Sequence, residues 1–393
     1  MKKLSEINLN NKKVLVRVDF NVPMDENLNI TDDTRIKMCL PTIEHVLAQG
    51  GICILMSHSG RPEGKVVPEL SLRPASKRLA ELLKKDVRMA PDCIGSAAAS
   101  LVAELKSGDV LLLENLRFHK GEDANDMTFA KELAKFGEVY VNDAFATAHR
   151  PAASMVAITE LIKDKAPGLL MQNEIDYFER ALLNPKRPLC VVLGGSKVST
   201  KLPTLQNIIK IADKVIIGGA MANTFLAAQG IQMGRSLYEP DLFPKCMEIV
   251  GALARRDGKL YLPVDFRIGT SPKGPGLSKP VTAQDIPADT MALDIGPATS
   301  LLFEEALSDA ETIVWNGPVG CFENEDFAQG TNDLTRALAS AHGLTLAGGG
   351  DTVAAINTME LAHRFDYIST GGGAFLELLE GKELPGIVAL RSK

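Results

Sequence analysis

The chain has 393 residues, a formal net charge of −6, 45% hydrophobic content and 23% charged content. That length favours two domains over one compact core. The acidic balance excludes a general nucleic-acid binder, because no basic excess exists to neutralise a phosphate backbone, so any positive potential must be local. The six cysteines (Cys39, Cys53, Cys93, Cys190, Cys246, Cys321) are widely spaced, without a C-x-x-C pair, and fit reduced core thiols in a cytoplasmic protein. Glu6, Asn8, Asn10 and Asn11 interrupt any signal-like apolar stretch. The longest uncharged run, 215–234, carries Asn223, Gln229, Gln232 and four glycines, so neither a membrane span nor a membrane partner is expected.

In chain order, Val14 to Val18 reads as a strand ending on Asp19-Phe20-Asn21. Asp32-Asp33 caps a helical pattern that runs to Gln49 and stops at Gly50-Gly51. Strands then follow at Gly51 to Ser57, ending on His58-Ser59-Gly60-Arg61, and at Asp109 to Glu114, ending on Asn115-Leu116-Arg117. A helix from Pro74 to Lys85 and a short strand at 87–89 lie between them. Glu138 to Val141 is a further strand, leading through Asn142-Asp143 to His149-Arg150. Strands alternating with helices indicate a doubly wound parallel α/β sheet, whose ligands sit beyond the carboxyl ends of the strands. Those ends carry Asp19, Asn21, His58, Arg61, Arg117 and Arg150, and Arg35 joins them from the first helix. Singly, each arginine could be a surface ion pair and His58 a satisfied polar residue. Four arginines and a histidine on one rim of an acidic protein instead point to a small, multiply anionic ligand.

Leu169 to Leu183 has helical periodicity between breakers and reads as a helix linking two domains; one more surface helix would look the same. Beyond it the α/β rhythm repeats. Leu189 to Leu193 runs into Gly194-Gly195-Ser196-Lys197-Val198-Ser199-Thr200-Lys201, where a helix is expected to start with Ser196 or Ser199 as its cap. Glycines, a helix start and two lysines four residues apart make an anion site, although an ordinary turn with two solvated lysines fits equally well. Further strands, at 214–217, 259–262, 312–315, 344–347 and 367–370, end mostly on glycine, which suits close backbone approach to a nucleotide. Neither a G-x-x-x-x-G-K-[ST] loop nor a strict G-x-G-x-x-G is present. Gly350-Asp351-Thr352 fits a helix start with a carboxylate suited to hydrated Mg²⁺, or else Asp351 as a simple N-cap.

Together these runs resemble the phosphoglycerate kinase family. The resemblance rests on Arg17-Val18-Asp19-Phe20-Asn21-Val22-Pro23, Ser57-His58-Ser59-Gly60-Arg61-Pro62, Glu114-Asn115-Leu116-Arg117-Phe118 and Asn142-Asp143-Ala144-Phe145. It continues through the Gly194 stretch, Asp294-Ile295-Gly296-Pro297, Trp315 to Gly320, Gly348 to Thr352 and Ser369 to Ala374. It implies two Rossmann-like doubly wound parallel-sheet α/β domains joined by a hinge helix. The first would be 1–168, with the tail 381–393 packing back on it; the second would be 169–380, opening with the linking helix 169–183. By the same resemblance Asp19, Asn21, Arg35, His58, Arg61, Arg117 and Arg150 hold 3-phosphoglycerate or 1,3-bisphosphoglycerate. Gly195, Lys197, Lys201, Gly219, Asn316, Pro318, Glu323, Gly350, Asp351, Thr352 and Val353 hold ATP or ADP. Asp351 helps to place Mg²⁺, which the nucleotide phosphates mainly hold, and Arg35, Lys197, Gly350 and Gly373 are implied as catalytic. A cytoplasmic, glycolytic monomer without nucleic-acid partners is implied as well. Ser59, Ala292 and Cys321 depart from common family residues, and none of the three removes a charge.

The chemistry so implied is reversible in-line phosphoryl transfer between 1,3-bisphosphoglycerate and ADP, with closure of the two domains about the linking helix. A nicotinamide-dependent dehydrogenase would share paired α/β domains, but the missing glycine fingerprint argues against it. A nucleotide-sensing protein that has lost the chemistry would be expected to lack Arg35, Lys197 or Asp351, and all three are present.

Overall fold

The computed structural model describes residues 1–277 and 279–392. It divides into two compact units, Met1–Asp176 with Glu383–Lys393, and Tyr177–Lys382. The division falls inside the linking helix, after Asp176, rather than at its start. Among the described residues, no helix is long and apolar enough to cross a membrane.

The first unit is built on strands β1 (Lys13–Arg17), β2 (Ile52–Met56), β3 (Arg88–Met89), β4 (Val110–Leu112), β5 (Val139–Asn142) and β6 (Asp164–Pro167). They form one sheet in the order β3-β4-β2-β1-β5-β6, and every pairing is parallel. Alternation along β1 sends Val14 and Val16 into one apolar layer and Leu15 into the other, so helices must cover both faces. The sequence reading missed β6. It is only four residues long, begins Asp164-Lys165 and ends on Pro167, a composition tolerated at a sheet edge and invisible to an apolar pattern. The helix Pro385–Arg391 belongs to this unit: Gly386 N–H donates to the Ala148 carbonyl at 2.9 Å and Leu390 enters the core beneath the sheet.

The second unit repeats the plan with β7 (Leu189–Leu193), β8 (Lys214–Ile217), β9 (Lys259–Tyr261), β13 (Thr312–Asn316), β14 (Leu344–Gly348) and β15 (Tyr367–Ser369). The order is β15-β14-β13-β7-β8-β9, again all parallel. Leu189, Val191 and Leu193 face one layer, Cys190 and Val192 the other. A separate antiparallel sheet, formed by β10 (Asp265–Gly269), β11 (Val281–Thr282) and β12 (Met291–Ile295), was not legible in the sequence. Its strands are short and carry Asp265, Arg267 and Asp294 inside them, which breaks the expected alternation.

The linking helix spans Leu169–Phe178 and continues as a π-helical turn over Glu179–Leu183. Its start is fixed by buried polar groups: Leu169 N–H donates to Thr42 Oγ1 at 2.8 Å, and Met171 N–H to Asp143 Oδ1 at 3.1 Å. Burial pushes the Asp143 carboxyl up to about 6. Gly168 lies directly on that carboxylate, and a Cβ there would stand 2.2 Å from Oδ1. Gly168→Ala should therefore destabilise the first unit by about 1–3 kcal/mol through overpacking. A urea titration reads this, and an unchanged midpoint would contradict it.

Candidate active site

In the first unit the strand ends enclose a pocket of about 250 Å³. All seven residues expected there line it: Asp19, Asn21, Arg35, His58, Arg61, Arg117 and Arg150. The bonds among them explain how the cations are held apart and aimed. Arg35 Nη1 donates to Asp19 Oδ2 and to the Asn21 carbonyl, both at 3.0 Å, which ties the first helix (Thr34–Ala48) to the end of β1. Asn21 Oδ1 accepts the Gly60 N–H at 2.9 Å. Arg117, itself buried, donates to the Gly60 carbonyl at 2.8 Å and to Asp123 at 3.1 Å. Arg61 and Arg150 remain exposed at the rim. At the helix start Asp32, not Asp33, accepts the capping bond, from Thr34 N–H at 2.8 Å. Asp33 instead pairs with Arg78 and Lys37.

Behind the pocket lies a network the sequence reading did not assign. Arg17, fully buried at the end of β1, donates from Nη2 to His58 Nδ1 at 3.1 Å and from Nε to Ser154 Oγ at 2.9 Å. Ser154 Oγ in turn donates to Glu122 Oε1 at 2.6 Å. Burial raises the Glu122 carboxyl above its ordinary value, opposed by the Arg17 charge and the Ser154 bonds. A guanidinium can only donate, so His58 Nδ1 must be the lone-pair nitrogen and Nε2 carries the proton. Burial, with the Arg17, Arg117, Arg35 and Arg150 charges adding to it, holds His58 well below its ordinary value. His58 is thus a neutral N–H donor beside four cations. The visible signal was an arginine closing a strand whose other core residues are all apolar.

The second unit has a cleft of about 480 Å³. Gly195, Gly219, Pro318, Glu323 and Asp351 line it, as expected, together with Asn223 and Leu237. The small antiparallel sheet supplies an apolar wall through Phe266, Met291, Ala292 and Leu293, which no motif had located. Ala292 and Cys321, two of the family departures, both face this cleft, and the Ala292 N–H is held by Ser236 Oγ at 2.8 Å. Lys201 and Asn316 sit together under the glycine turns: Lys201 Nζ donates to the Asn316 carbonyl at 3.0 Å and to its side-chain oxygen. Burial brings the Lys201 pKa down to about 8, against the opposing pull of Asp351. Thr352 Oγ1 accepts the Gly317 N–H at 2.7 Å, and Asn316 Nδ2 donates to the Gly348 carbonyl at 2.7 Å, so β13 and β14 end on one bonded platform. The close packing needs glycine: a Cβ at Gly194 would lie 2.0 Å from the Pro318 carbonyl oxygen.

Helix Gly350–Thr358 begins as expected, with Gly349 as its N-cap, so Asp351 is not a simple cap. A Cβ at Gly350 would meet nothing within 4 Å, so there is space beside the first residue of this helix. Val353 N–H closes the first turn on Gly349, and Gly373 opens the helix Gly373–Leu379 without lining the cleft. One expectation fails. The helix Val198–Ile208 has Lys197 as N-cap, exposed, and neither Ser196 nor Ser199 caps it. Its first N–H groups go to the Glu239 carboxylate, which accepts from Ser199 N–H at 3.0 Å and also from Val198. A distant acid had outcompeted the local serines, and nothing in the octapeptide announced it. Among the described residues, the cluster of metal-ligand type is Asp92, Cys93 and His119, in the first unit; it is knit by hydrogen bonds, His119 Nε2 to Asp92 Oδ1 at 2.7 Å and Cys93 N–H to the same oxygen at 2.6 Å.

An anion pocket on one α/β unit and a glycine-lined cleft on another coincide with what sequence comparison finds. The family profile described as phosphoglycerate kinase matches residues 4–382. The chain belongs to the phosphoglycerate kinase family. A phosphoglycerate kinase of Desulfotalea psychrophila is 52% identical over 392 residues, covering 100% of both chains, and that of Aquifex aeolicus is 50% identical over 392 residues, covering 100% of this chain and 98% of its own. The solved phosphoglycerate kinase of Coxiella burnetii superposes with a TM-score of 0.93 at 40% identity over 100% of both chains. That of Pyrococcus horikoshii gives 0.84 at 34% identity, over 100% of this chain and 98% of its own. Family membership makes the chain a phosphotransferase with a carboxyl group as acceptor.

Nitrogen NMR at about pH 6 should find His58 neutral with its proton on Nε2; titration near the ordinary histidine value would contradict the network. Affinity for Mg-ADP should fall as pH rises through the Lys201 pKa of about 8, because the lysine then loses the charge that phosphate attracts. The slope should approach about tenfold per pH unit above that point, and a flat titration from about pH 7 to about pH 9 would contradict it.

Proposed function

We propose that the chain catalyses reversible phosphoryl transfer between 1,3-bisphosphoglycerate and ADP, giving 3-phosphoglycerate and ATP, as a step of glycolysis. The observation that carries this reading is the single pocket in which four arginines and a neutral N–H donor converge around Asp19 and Asn21. Phosphate and carboxylate both suit arginine forks, and the Asp19 and Asn21 oxygens can accept from the substrate hydroxyl. The nucleotide then lies along the apolar cleft with its phosphates toward Lys197, Lys201 and the helix start at Gly350 to Val353. Magnesium, when bound with the nucleotide, neutralises phosphate charge; Asp351, a hard carboxylate lining the cleft beside that helix start, suits it.

The acceptor is a carboxylate without a proton to lose, so no protein base is required and no covalent enzyme intermediate need form. Catalysis reduces to positioning and to stabilising charge on the moving phosphoryl group. Arg35 and Lys197 take that role, with Gly350 and Gly373 letting backbone N–H groups come close. Asp19 holds Arg35 in place, since their 3.0 Å bond fixes the guanidinium before substrate arrives. Direct transfer requires the two substrates to meet, and bending at the linking helix is the proposed route; closure also excludes the water that would hydrolyse an acyl phosphate. The same reading takes the chain as a cytoplasmic monomer whose partners are these small molecules, and family membership is what supports it.

The test is a coupled assay supplying 3-phosphoglycerate and Mg-ATP, with excess glyceraldehyde-3-phosphate dehydrogenase oxidising NADH as product forms. Arg35→Ala should lower turnover on the order of a hundredfold or more. Near-normal turnover in that variant would overturn the assignment of Arg35.

A further inference from the structure

Glu239 lies in the segment Leu237-Tyr238-Glu239, which follows the helix Ala220–Ala228 by less than a dozen residues and is bonded at two places. Asn223 Nδ2 donates to the Leu237 carbonyl at 3.1 Å, and the Glu239 N–H donates to Thr224 Oγ1 at 3.2 Å, so the segment is fastened to the first turns of that helix. The Glu239 carboxylate reaches the other way. It accepts from Ser199 N–H at 3.0 Å, from Ser199 Oγ at 2.5 Å and from the Val198 N–H. Burial works to raise the Glu239 pKa, but these bonds and the Lys197 charge outweigh it and keep the carboxylate ionised.

The segment therefore straps together the two helix starts that bound the nucleotide cleft, one carrying Gly219 and Ala220, the other Gly195 and Lys197. Lys197 is the N-cap of its helix and makes no capping bond of its own, so the direction in which its side chain leaves the backbone depends on how the next two N–H groups are held. Glu239 holds them. A carboxylate at this spot also complements the helix dipole and takes up the donors that a phosphate would otherwise find there.

We propose that Glu239 is a positioning residue for phosphoryl transfer, acting through Lys197. The inference rests on the kinase reading above and on the role given there to Lys197. The chemistry asks only that Lys197 arrive in one place, and a misplacement of an ångström is enough to cost turnover.

The experiment measures kcat and KM in the full chain for wild type, Glu239→Ala, Glu239→Gln, Lys197→Ala and the combination of Glu239→Ala with Lys197→Ala. Glu239→Ala should lose about tenfold or more in kcat while KM for 3-phosphoglycerate moves less than about twofold. Glu239→Gln keeps an acceptor for Ser199 and should recover part of the loss. In the Lys197→Ala background, removing Glu239 should change kcat by less than about twofold, because a residue acting through Lys197 has nothing left to act on. An unchanged kcat in Glu239→Ala, or the same loss with and without Lys197, would overturn the proposal. If the alanine variant does not fold, the smaller loss in Glu239→Gln must likewise vanish without Lys197. An inactive wild type would instead overturn the kinase reading itself.

Discussion

Cations that must bind one small anion repel each other before it arrives, and both units are organised around that repulsion. In the first, Arg35, Arg61, Arg117 and Arg150 share a pocket of about 250 Å³. The fold does not neutralise them with matching carboxylates, which would compete with substrate. It uses two acids, Asp19 on Arg35 and Asp123 on Arg117, and backbone carbonyls at Asn21 and Gly60 to orient guanidinium groups that keep donors free. The histidine among them stays uncharged, because a fifth cation in a buried position would cost more than the pocket could return. Burial keeps it neutral with the arginine charges adding to that, and its tautomer is set from behind by Arg17, whose own charge is balanced through Ser154 and Glu122.

The second unit meets the same constraint differently. Lys201 is desolvated against the glycine turns, with its ammonium held by both Asn316 oxygens, and burial lowers its pKa to about 8. The remaining donors are backbone N–H groups at glycine-rich helix starts, which carry no net charge and so do not repel the lysines. Among these starts, Glu239 takes up the Ser199 N–H at one, while a Cβ at Gly350 in another would meet nothing within 4 Å.

Much of this was legible in the sequence, and the residues show why. Parallel strands buried on both faces are unbroken apolar runs, so Leu189 to Leu193 or Ile52 to Met56 could be read directly, and their carboxyl ends then located Gly195 and Arg61. What could not be read depends on partners far away in the chain. The Glu239 cap is 40 residues from Ser199, the Asp92 contact to His119 spans 27, and Arg17 meets Ser154 across 137. Local capping rules favoured Ser196 and Ser199 because they count only neighbours. The antiparallel sheet that walls the cleft escaped for a related reason: Asp265 and Asp294 within it accept N–H groups from Thr299 and Gly330, more than thirty residues on, and interrupt the apolar alternation.

If chemistry here is positioning alone, the phosphoryl group passes from one oxygen to the other in a single displacement, with no protein atom ever bonded to it. The most direct test starts from ATP whose terminal phosphoryl group is made chiral with oxygen isotopes and follows its configuration in the acyl phosphate product. One in-line displacement predicts inversion. Retention would mean that a side chain carries the group in between, and an account built on arginines, a neutral histidine and backbone donors would have to give way to one with a nucleophile.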